Sequence, residues 1–490
     1  MTAPAFQHRG VMLDLARLTE QHDYYRGLLP HLADWGYNLL HLHLTDDQGC
    51  ALRFPSHPEL ATEHAFSVDE MREFCRAAQD LGLEIVPEIE CWGHTDFITR
   101  LDQYRHLREI EEGPGQFSGM CVFEPDARDL LRDLLRDTVD IFEPRLIHAG
   151  LDEVNFGHHP TSKKLLEKQS ASDLFADHII WCHGAIDELG ARLAMWGDHV
   201  YKDETLLRRT PKDALIFDWH YLRDYVPESL DVLIEHGFEV YGAPAVQFAR
   251  NRVLSSRENF ENLQRFSGHA LSRREKDGDQ GFVSGMVVTV WCPYRYVPGT
   301  IEYPLAMAAR LFCSDELPPL DFAETFAAEF WGLPDEMAGR VGWAVEQLYE
   351  SAPVREEYNR TVWGHSRSGK KGEADTFCRA DQDQCRRRLQ IVRQARSIIE
   401  EARDLAKRNN ERLLDLTTAA EFLETIYQYG AEGRRQPPDW KGLHESLQAA
   451  WCRSRYTDTP AYSGTCPLPP LGHSEHDEIM RHLNRLAGEA

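Results

Sequence analysis

Short apolar runs that stop at polar or charged residues recur through the first two thirds of the chain, and each is followed by a longer stretch with helical spacing. The runs are GVMLDLAR (10–17), LLHLHLTDD (39–47), EIVPEIE (84–90), LIHAGLDE (146–153), RLAMWGD (192–198), ALIFDWHY (214–221), FEVYGAP (238–244) and VVTVWCPY (287–294). Uninterrupted apolar runs suit strands covered on both faces, as in a parallel sheet. The connecting segments carry helix signals. In YYRGLLPHLADWG, Leu28, Leu29, Leu32 and Trp35 share a face and Gly36 stops the pattern. In SVDEMREFCRAAQDLG, Ser67 and Glu70 form a capping box and Gly82 ends the helix. PDARDLLRDLLRDTVDIF repeats an apolar stripe through Leu130, Leu131, Leu134 and Leu135. Eight strands alternating with helices predict an α/β protein built on a (β/α)8 TIM barrel over roughly residues 5 to 320. Strand seven is its weakest run.

After FWGLPDEMAG (330–339) strand signals vanish. Residues 381 to 430 show a long amphipathic stretch with Leu389, Val392, Ile398, Ile399, Ala402 and Leu405 on one face, which predicts an α-helical C-terminal domain. The expected division is a barrel over 1–320 and a helical domain over 321–490. Packing against the barrel is the plainer role for these helices, and pairing with a second copy in a homodimer is the sharper one. SGTCPLPPLGH reads as a loop before a final short helix.

Composition acts mainly by exclusion. Of 490 residues, 42% are hydrophobic and 27% charged, an ordinary globular balance. The 80 acidic residues against 54 basic ones give a net charge of −26, which speaks against a nucleic acid partner, since phosphate binding needs Lys and Arg. A well-solvated surface is the simplest account of that charge. No apolar run approaches the ~18 residues of a membrane span, and MTAPAFQHRGVMLDLARL lacks the pattern of an export signal. The 11 cysteines are scattered, with no C-x-x-C pair and no zinc-type spacing. They are expected to be reduced thiols of a cytoplasmic protein, and the sequence implies neither a metal nor a cofactor.

In this fold the C-terminal ends of the strands build the site. Arg9 stands just before the first run, Asp46 and Asp47 close the second, and Glu90 closes the third, with His94 following in CWGH. The fourth ends in Asp152 and Glu153, and the fifth, sixth and eighth end near Trp196, Trp219 and Trp291. Carboxylates with tryptophans suit a carbohydrate pocket, because indole faces stack on sugar C–H faces while acids and Arg bind hydroxyls. Such tryptophans also serve as barrel core. His41 and His43 read as buried, hydrogen-bonded residues rather than catalytic ones.

Two acids near a glycosidic bond are the usual requirement for hydrolysis. Neighbouring strand residues point to opposite faces, so Asp152 and Glu153 are unsuited to a double displacement across ~5 Å. Where a strand turns, however, both can reach one pocket at different points. That suits unequal roles. One carboxyl protonates the leaving oxygen, while the other holds a 2-acetamido group that attacks its own anomeric carbon. Nearby negative charge also favours the protonated form that a general acid needs near neutral pH.

RGVMLD, HLHLTDDQG, VPEIECWGH and IHAGLDE, in order on strands one to four, resemble the successive signatures of glycoside hydrolase family 20, the β-N-acetylhexosaminidases. WGHTDFITRLDQYRHLREI and GLDEVNFG are most similar to its intracellular branch, the hexosaminidase D type. The resemblance covers the barrel and leaves the C-terminal helices unexplained. It implies a metal-free, retaining exo-hydrolase that removes terminal β-linked GlcNAc or GalNAc through an oxazolinium intermediate. It makes Asp152 the acetamido-orienting carboxylate, Glu153 the general acid/base, and Arg9 a clamp on distal hydroxyls. Glu90 and His94 would support the acid, and Trp196, Trp219 and Trp291 would wall the pocket. Asp47 and Tyr221 join the substrate-binding candidates, with Tyr241 and Tyr294 as other sources of a phenol. The chain departs from the family pattern at four places. Leu151 replaces the second glycine before Asp-Glu, and Glu90 stands where Asp is usual. Pro293 occupies the place of an acid, and strand seven has no Tyr-x-Asp. These keep two other readings open: a same-fold glycosidase for a modified or different sugar, and a catalytically silent sugar-binding protein.

Overall fold

The computed structural model describes residues 4–110, 119–224, 228–275, 281–363, 377–436 and 438–456. All eight expected runs are strands: β1 (His8–Asp14), β2 (Leu39–His43), β3 (Glu84–Glu88), β4 (Leu146–His148), β5 (Arg192–Trp196), β6 (Leu215–Trp219), β7 (Glu239–Ala243) and β8 (Phe282–Val290). Each is parallel to its successor, and β8 returns to β1 in a register that runs from His8 opposite Gly285 to Leu13 opposite Val290. The ring therefore closes with no free edge. β8 begins at Phe282 rather than Val287, and the short strand Ala245–Gln247 pairs with its end.

Inward side chains, among them Met12, Val86, Ala194, Trp196, Phe217 and Val287, fill the barrel. Outward ones such as Val11, Leu40, Ile85, Ile147 and Leu193 pack under the surrounding helices. The expected crossovers form His22–Trp35, Val68–Asp80 and Pro125–Phe142. Gly36, at φ +100°, turns the chain after the first. The second opens on the capping box: Ser67 N–H donates to Glu70 Oε2 at 2.8 Å and Glu70 N–H to Ser67 Oγ at 3.3 Å. Two helix-end donors are thereby satisfied.

Beyond the barrel lie helices Phe322–Trp331, Asp335–Ser351, Arg355–Trp363, Arg379–Arg403, Asn410–Ala431 and Trp440–Trp451. The apolar stripe through Leu389, Val392, Ile398, Ile399 and Ala402 is buried. Leu405 does not belong to it: the helix ends at Arg403, and Leu405 is 44% exposed. These helices pack against the loops after β8 and β1. The Trp451 indole N–H donates to the Tyr296 carbonyl at 2.8 Å, and Gly299 N–H to Asp415 Oδ2 at 2.8 Å. Arg455, fully buried, donates to the Pro293 carbonyl at 2.5 Å and pairs with Glu20 at 2.9 Å. SGTCPLPPLGH and the short helix expected after it lie outside the described residues. Among the described residues, no helix is long and apolar enough to cross a membrane.

Candidate active site

Immediately past β4 the chain turns sharply, with Gly150, Leu151 and Glu153 at φ +65°, +71° and +47°. Gly150 takes that conformation without steric cost, and its bare Cα makes room for Glu90: an added Cβ would lie 2.0 Å from Glu90 Oε2. Leucine in this region costs about 1–2 kcal/mol. The Leu151 side chain is fully buried, and burying a leucine is worth about 1.5–3 kcal/mol. Packing thus offsets the strain of a residue standing where glycine would be at ease. The turn also ends strand alternation, so Asp152 and Glu153 open on the same cavity.

His94 sits between two pairs of adjacent acids. Its Nε2 lies 3.7 Å from Asp152 Oδ2 and 3.3 Å from Glu153 Oε2. Its Nδ1 lies 3.2 Å from Asp47 Oδ2 and 3.7 Å from Asp46 Oδ1. The preceding Gly93 permits this approach, since a Cβ there would meet the Asp152 carbonyl oxygen at 2.3 Å. Burial works against a charged imidazole. Asp46 and Asp152, with hydrogen bonds to Asp47 and Glu153, nonetheless hold His94 well above its ordinary range.

Charge is divided unequally among the acids. Against burial, Arg17, His94 and His43 keep the Asp46 carboxyl down at about 2. Asp152 is pushed up to about 7 by burial, with Asp198 and Glu153 adding repulsion and His94 opposing it. Glu90 is fully buried, and neither of its carboxyl oxygens has a hydrogen-bond partner among the described residues. Burial, Asp152 and Glu88 hold Glu90 well above the usual carboxylate range, which favours its protonated form beside the pair.

A cavity of about 580 Å³ opens over Asp152 and Glu153, and Arg17, His94, Trp219, Tyr221, Phe248 and Trp291 complete much of its wall. The Trp291 indole N–H donates to Tyr221 Oη at 2.8 Å, and Tyr221 stacks on Trp219 at 5.1 Å between ring centroids. The Arg17 guanidinium lies 4.8 Å over Trp291 and pairs with Asp14 at 3.0 Å and Asp46 at 2.7 Å.

Two expected site residues lie elsewhere. Arg9, near the start of β1, is at the opposite end of the barrel, where it donates to the carbonyls of Gly36, Phe6 and Gln7. Arg17, in the same apolar run but at its C-terminal end, is the arginine that reaches the cavity. Strand direction alone pointed to it. Trp196 is fully buried inside the barrel, its indole N–H donating to Glu88 Oε1 at 2.6 Å, and it backs Trp291 at 5.8 Å instead of walling the cavity. Asp47 is nearly buried and serves His94 and the Asp96 N–H. Of the three tyrosines, Tyr221 lines the cavity. Tyr241 packs on His8 and Phe217 within the barrel, and Tyr294 is buried near Cys292. Sequence reasoning missed Asp198 and His199, which follow β5 and accept the backbone N–H groups of Glu153 and Val154. His41, Glu88 and His148 bring three ligand-type atoms within 4.8 Å of one another. The Glu88 oxygens in that group already accept hydrogen bonds from Trp196 and His43.

Residues 6–295 match the family model described as glycosyl hydrolase family 20, catalytic domain. A β-hexosaminidase from Vibrio furnissii is 24% identical over 341 residues, 59% of this chain and 53% of its own. A β-N-acetylhexosaminidase from Cellulomonas fimi is 30% identical over 181 residues, 33% of this chain and 36% of its own. The chain thus spans about half, or less, of the length of these curated relatives. The solved β-N-acetylhexosaminidase from Bacteroides fragilis NCTC 9343 shares the fold over 69% of this chain and 72% of that one, with a TM-score of 0.54 and 19% identity. Since the matched segment holds all eight strands and more than half of the residues, the chain belongs to glycosyl hydrolase family 20.

Proposed function

We propose that the protein is an exo-β-N-acetylhexosaminidase that removes terminal β-linked GlcNAc or GalNAc with retention, using the substrate's own acetamide as nucleophile. One observation carries this reading: the adjacent acids differ in exposure while sharing His94. The Glu153 side chain is 38% exposed, against 12% for Asp152. The more open carboxyl suits a proton donor to a leaving oxygen at the cavity mouth. The deeper one suits a carboxylate that holds the acetamide N–H and the positive charge developing on the oxazolinium ring.

The walls support the same chemistry. Trp219 and Trp291 offer flat apolar faces to a sugar ring. Tyr221 lines the cavity and accepts from Trp291, with Thr289 also at hydrogen-bond distance, which suits its hydroxyl to the acetamide oxygen. Arg17, anchored by Asp14 and Asp46, takes the distal hydroxyl role first given to Arg9. A cavity of about 580 Å³ suits one terminal sugar. The ten described cysteines are all free thiols, which supports a reducing, cytoplasmic setting.

Pro293 favours one variation. It is buried with its carbonyl taken by Arg455, so it contributes no carboxylate to the outer hydroxyls. A sugar altered at C4 or C6 is the second reading.

Release of nitrophenol from β-GlcNAc and β-GalNAc aryl glycosides tests the proposal, with the β-glucoside as control. Turnover of the acetamido sugars alone is expected. Equal turnover of the plain glucoside would remove substrate assistance. Glu153→Gln should cost about 10²–10⁴-fold in kcat on glycosides with poor leaving groups and much less on nitrophenyl ones. Unchanged hydrolysis of an alkyl glycoside by this variant would exclude Glu153 as the proton donor.

A further inference from the structure

The loop after β5 reaches across to the turn that carries the two acids. Asp198 Oδ2 accepts the Glu153 backbone N–H at 3.3 Å, and His199 Nε2 accepts that of Val154 at 2.9 Å. Strand pairing has ended by this point, since β4 stops at His148. The left-handed turn from Gly150 to Glu153 is held at its start by the Trp196 backbone N–H, which donates to the Gly150 carbonyl at 3.0 Å, and at its end by side chains of the neighbouring loop.

A neutral acceptor would suffice for an N–H. Asp198 instead buries a carboxylate, 8% exposed, whose Oδ1 has no hydrogen-bond partner among the described residues. Burying an unmatched acceptor beside other acids costs stability, which calls for a return at the site. We propose that Asp198 is a positioning residue of the hydrolytic site, which fixes Glu153 through its backbone and places a buried negative charge beside the Asp152–Glu153 pair. This rests on the roles proposed above for Asp152 and Glu153.

Asp152 is faced by His94, Glu90 and Glu88 from β3 and its loop, by Tyr221 from the loop after β6, by its neighbour Glu153, and by Asp198. Asp198 in turn is raised above its ordinary range by burial, with His199, the Glu153 backbone N–H and Lys202 opposing the rise and the Glu153 charge adding to it. Of the negative groups acting on Asp152, Asp198 is the strongest; burial is the larger influence and His94 opposes both. A carboxyl raised to about 7 keeps its proton more readily in the empty site, and positive charge developing on the substrate favours its ionised form. Activity should then fall as pH drops below that region, because the ionised form of Asp152 is the working one. Taking away the charge of Asp198 lowers the ionisation of Asp152 to more acidic pH and moves the acid limb with it.

Two variants and two measurements test this in the full chain. Asp198→Asn keeps an acceptor for the Glu153 N–H but no charge, and Asp198→Ala keeps neither. Carboxyl-carbon NMR of aspartate-labelled, ligand-free protein follows the Asp152 midpoint, assigned with Asp152→Asn. The pH dependence of kcat/KM on nitrophenyl β-GlcNAc follows the acid limb. Both variants should lower the Asp152 midpoint by about half a unit or more, and the acid limb should move equally. Asp198→Ala should lose about tenfold or more in plateau kcat relative to Asp198→Asn. An unmoved midpoint in Asp198→Asn overturns the electrostatic half, and equal plateaus overturn the positioning half. The NMR midpoint needs no turnover, so a chain that hydrolyses none of the aryl glycosides would sink the proposed function while the coupling of the two acids is still decided.

Discussion

Glu88 and Glu90 stand two residues apart at the end of β3, both fully buried, in opposite states. Glu88 points into the barrel, where His43 Nδ1 lies at 2.6 Å, His41 Nε2 at 3.0 Å, His148 Nδ1 at 3.1 Å and the Trp196 indole nitrogen at 2.6 Å. Although burial opposes it, these histidines, His43 foremost, keep Glu88 ionised far below its ordinary range. His43 in turn, against burial, is raised to about 10 by Glu88 and Asp46. Burial leaves His148 neutral, lowered to about 4. Glu90 meets no donor and faces Asp152, so burial and like charge raise it and favour its protonated form. Depth alone therefore does not decide the state of a barrel carboxyl. The partners contributed by neighbouring strands do.

The largest effect is expected at Glu88. Glu88→Gln leaves the His43 charge with Asp46 alone and should destabilise by about 3–5 kcal/mol in urea unfolding. A loss under about 1 kcal/mol would mean that the histidine cluster is not organised by that charge. Trp196→Phe removes one donor to the same carboxylate and should cost about 1.5–3 kcal/mol. A cost well below that would show that the Trp196 N–H contributes little beyond what the histidines provide.

Glu90→Gln gives the smallest effect and the sharpest contrast. An unfolded chain ionises this glutamate near ~4.3, whereas the fold keeps it protonated to higher pH. Wild-type stability should therefore decline as pH rises past that value, until the folded group ionises too. Removing the ionisable group removes the decline. The variant should match the wild type within about 1 kcal/mol near pH 4 and gain on it toward pH 7, read as a widening difference in Tm. A difference that stays flat with pH would mean that Glu90 is ionised in the folded protein.

Much of the scaffold was legible along the chain. Eight apolar runs became eight strands, and Ser67 with Glu70 made the capping box that their spacing announced. Asp152 and Glu153 stood out because two acids closing a buried strand conflict with its alternation, and the positive φ values of Gly150, Leu151 and Glu153 resolve that conflict. The readings that failed concerned which end and which face. Arg9 and Arg17 belong to one short stretch, but only the latter lies at the barrel end where the acids gather. Trp196 and Trp219 close neighbouring strands, yet one is drawn inward by Glu88 and the other faces the cavity.

By itself the sequence determined the order of strands and helices, the position of the paired acids and the resemblance to the family, because periodicity, caps and motifs are properties of contiguous residues. Tertiary packing set which arginine reaches the cavity, which tryptophans line it, how Asp198 and His199 accept from the acid turn, and which carboxyls are raised or lowered from their ordinary range. Those outcomes depend on direction in space and on charges brought together from separate strands, and no local stretch of chain encodes such a sum.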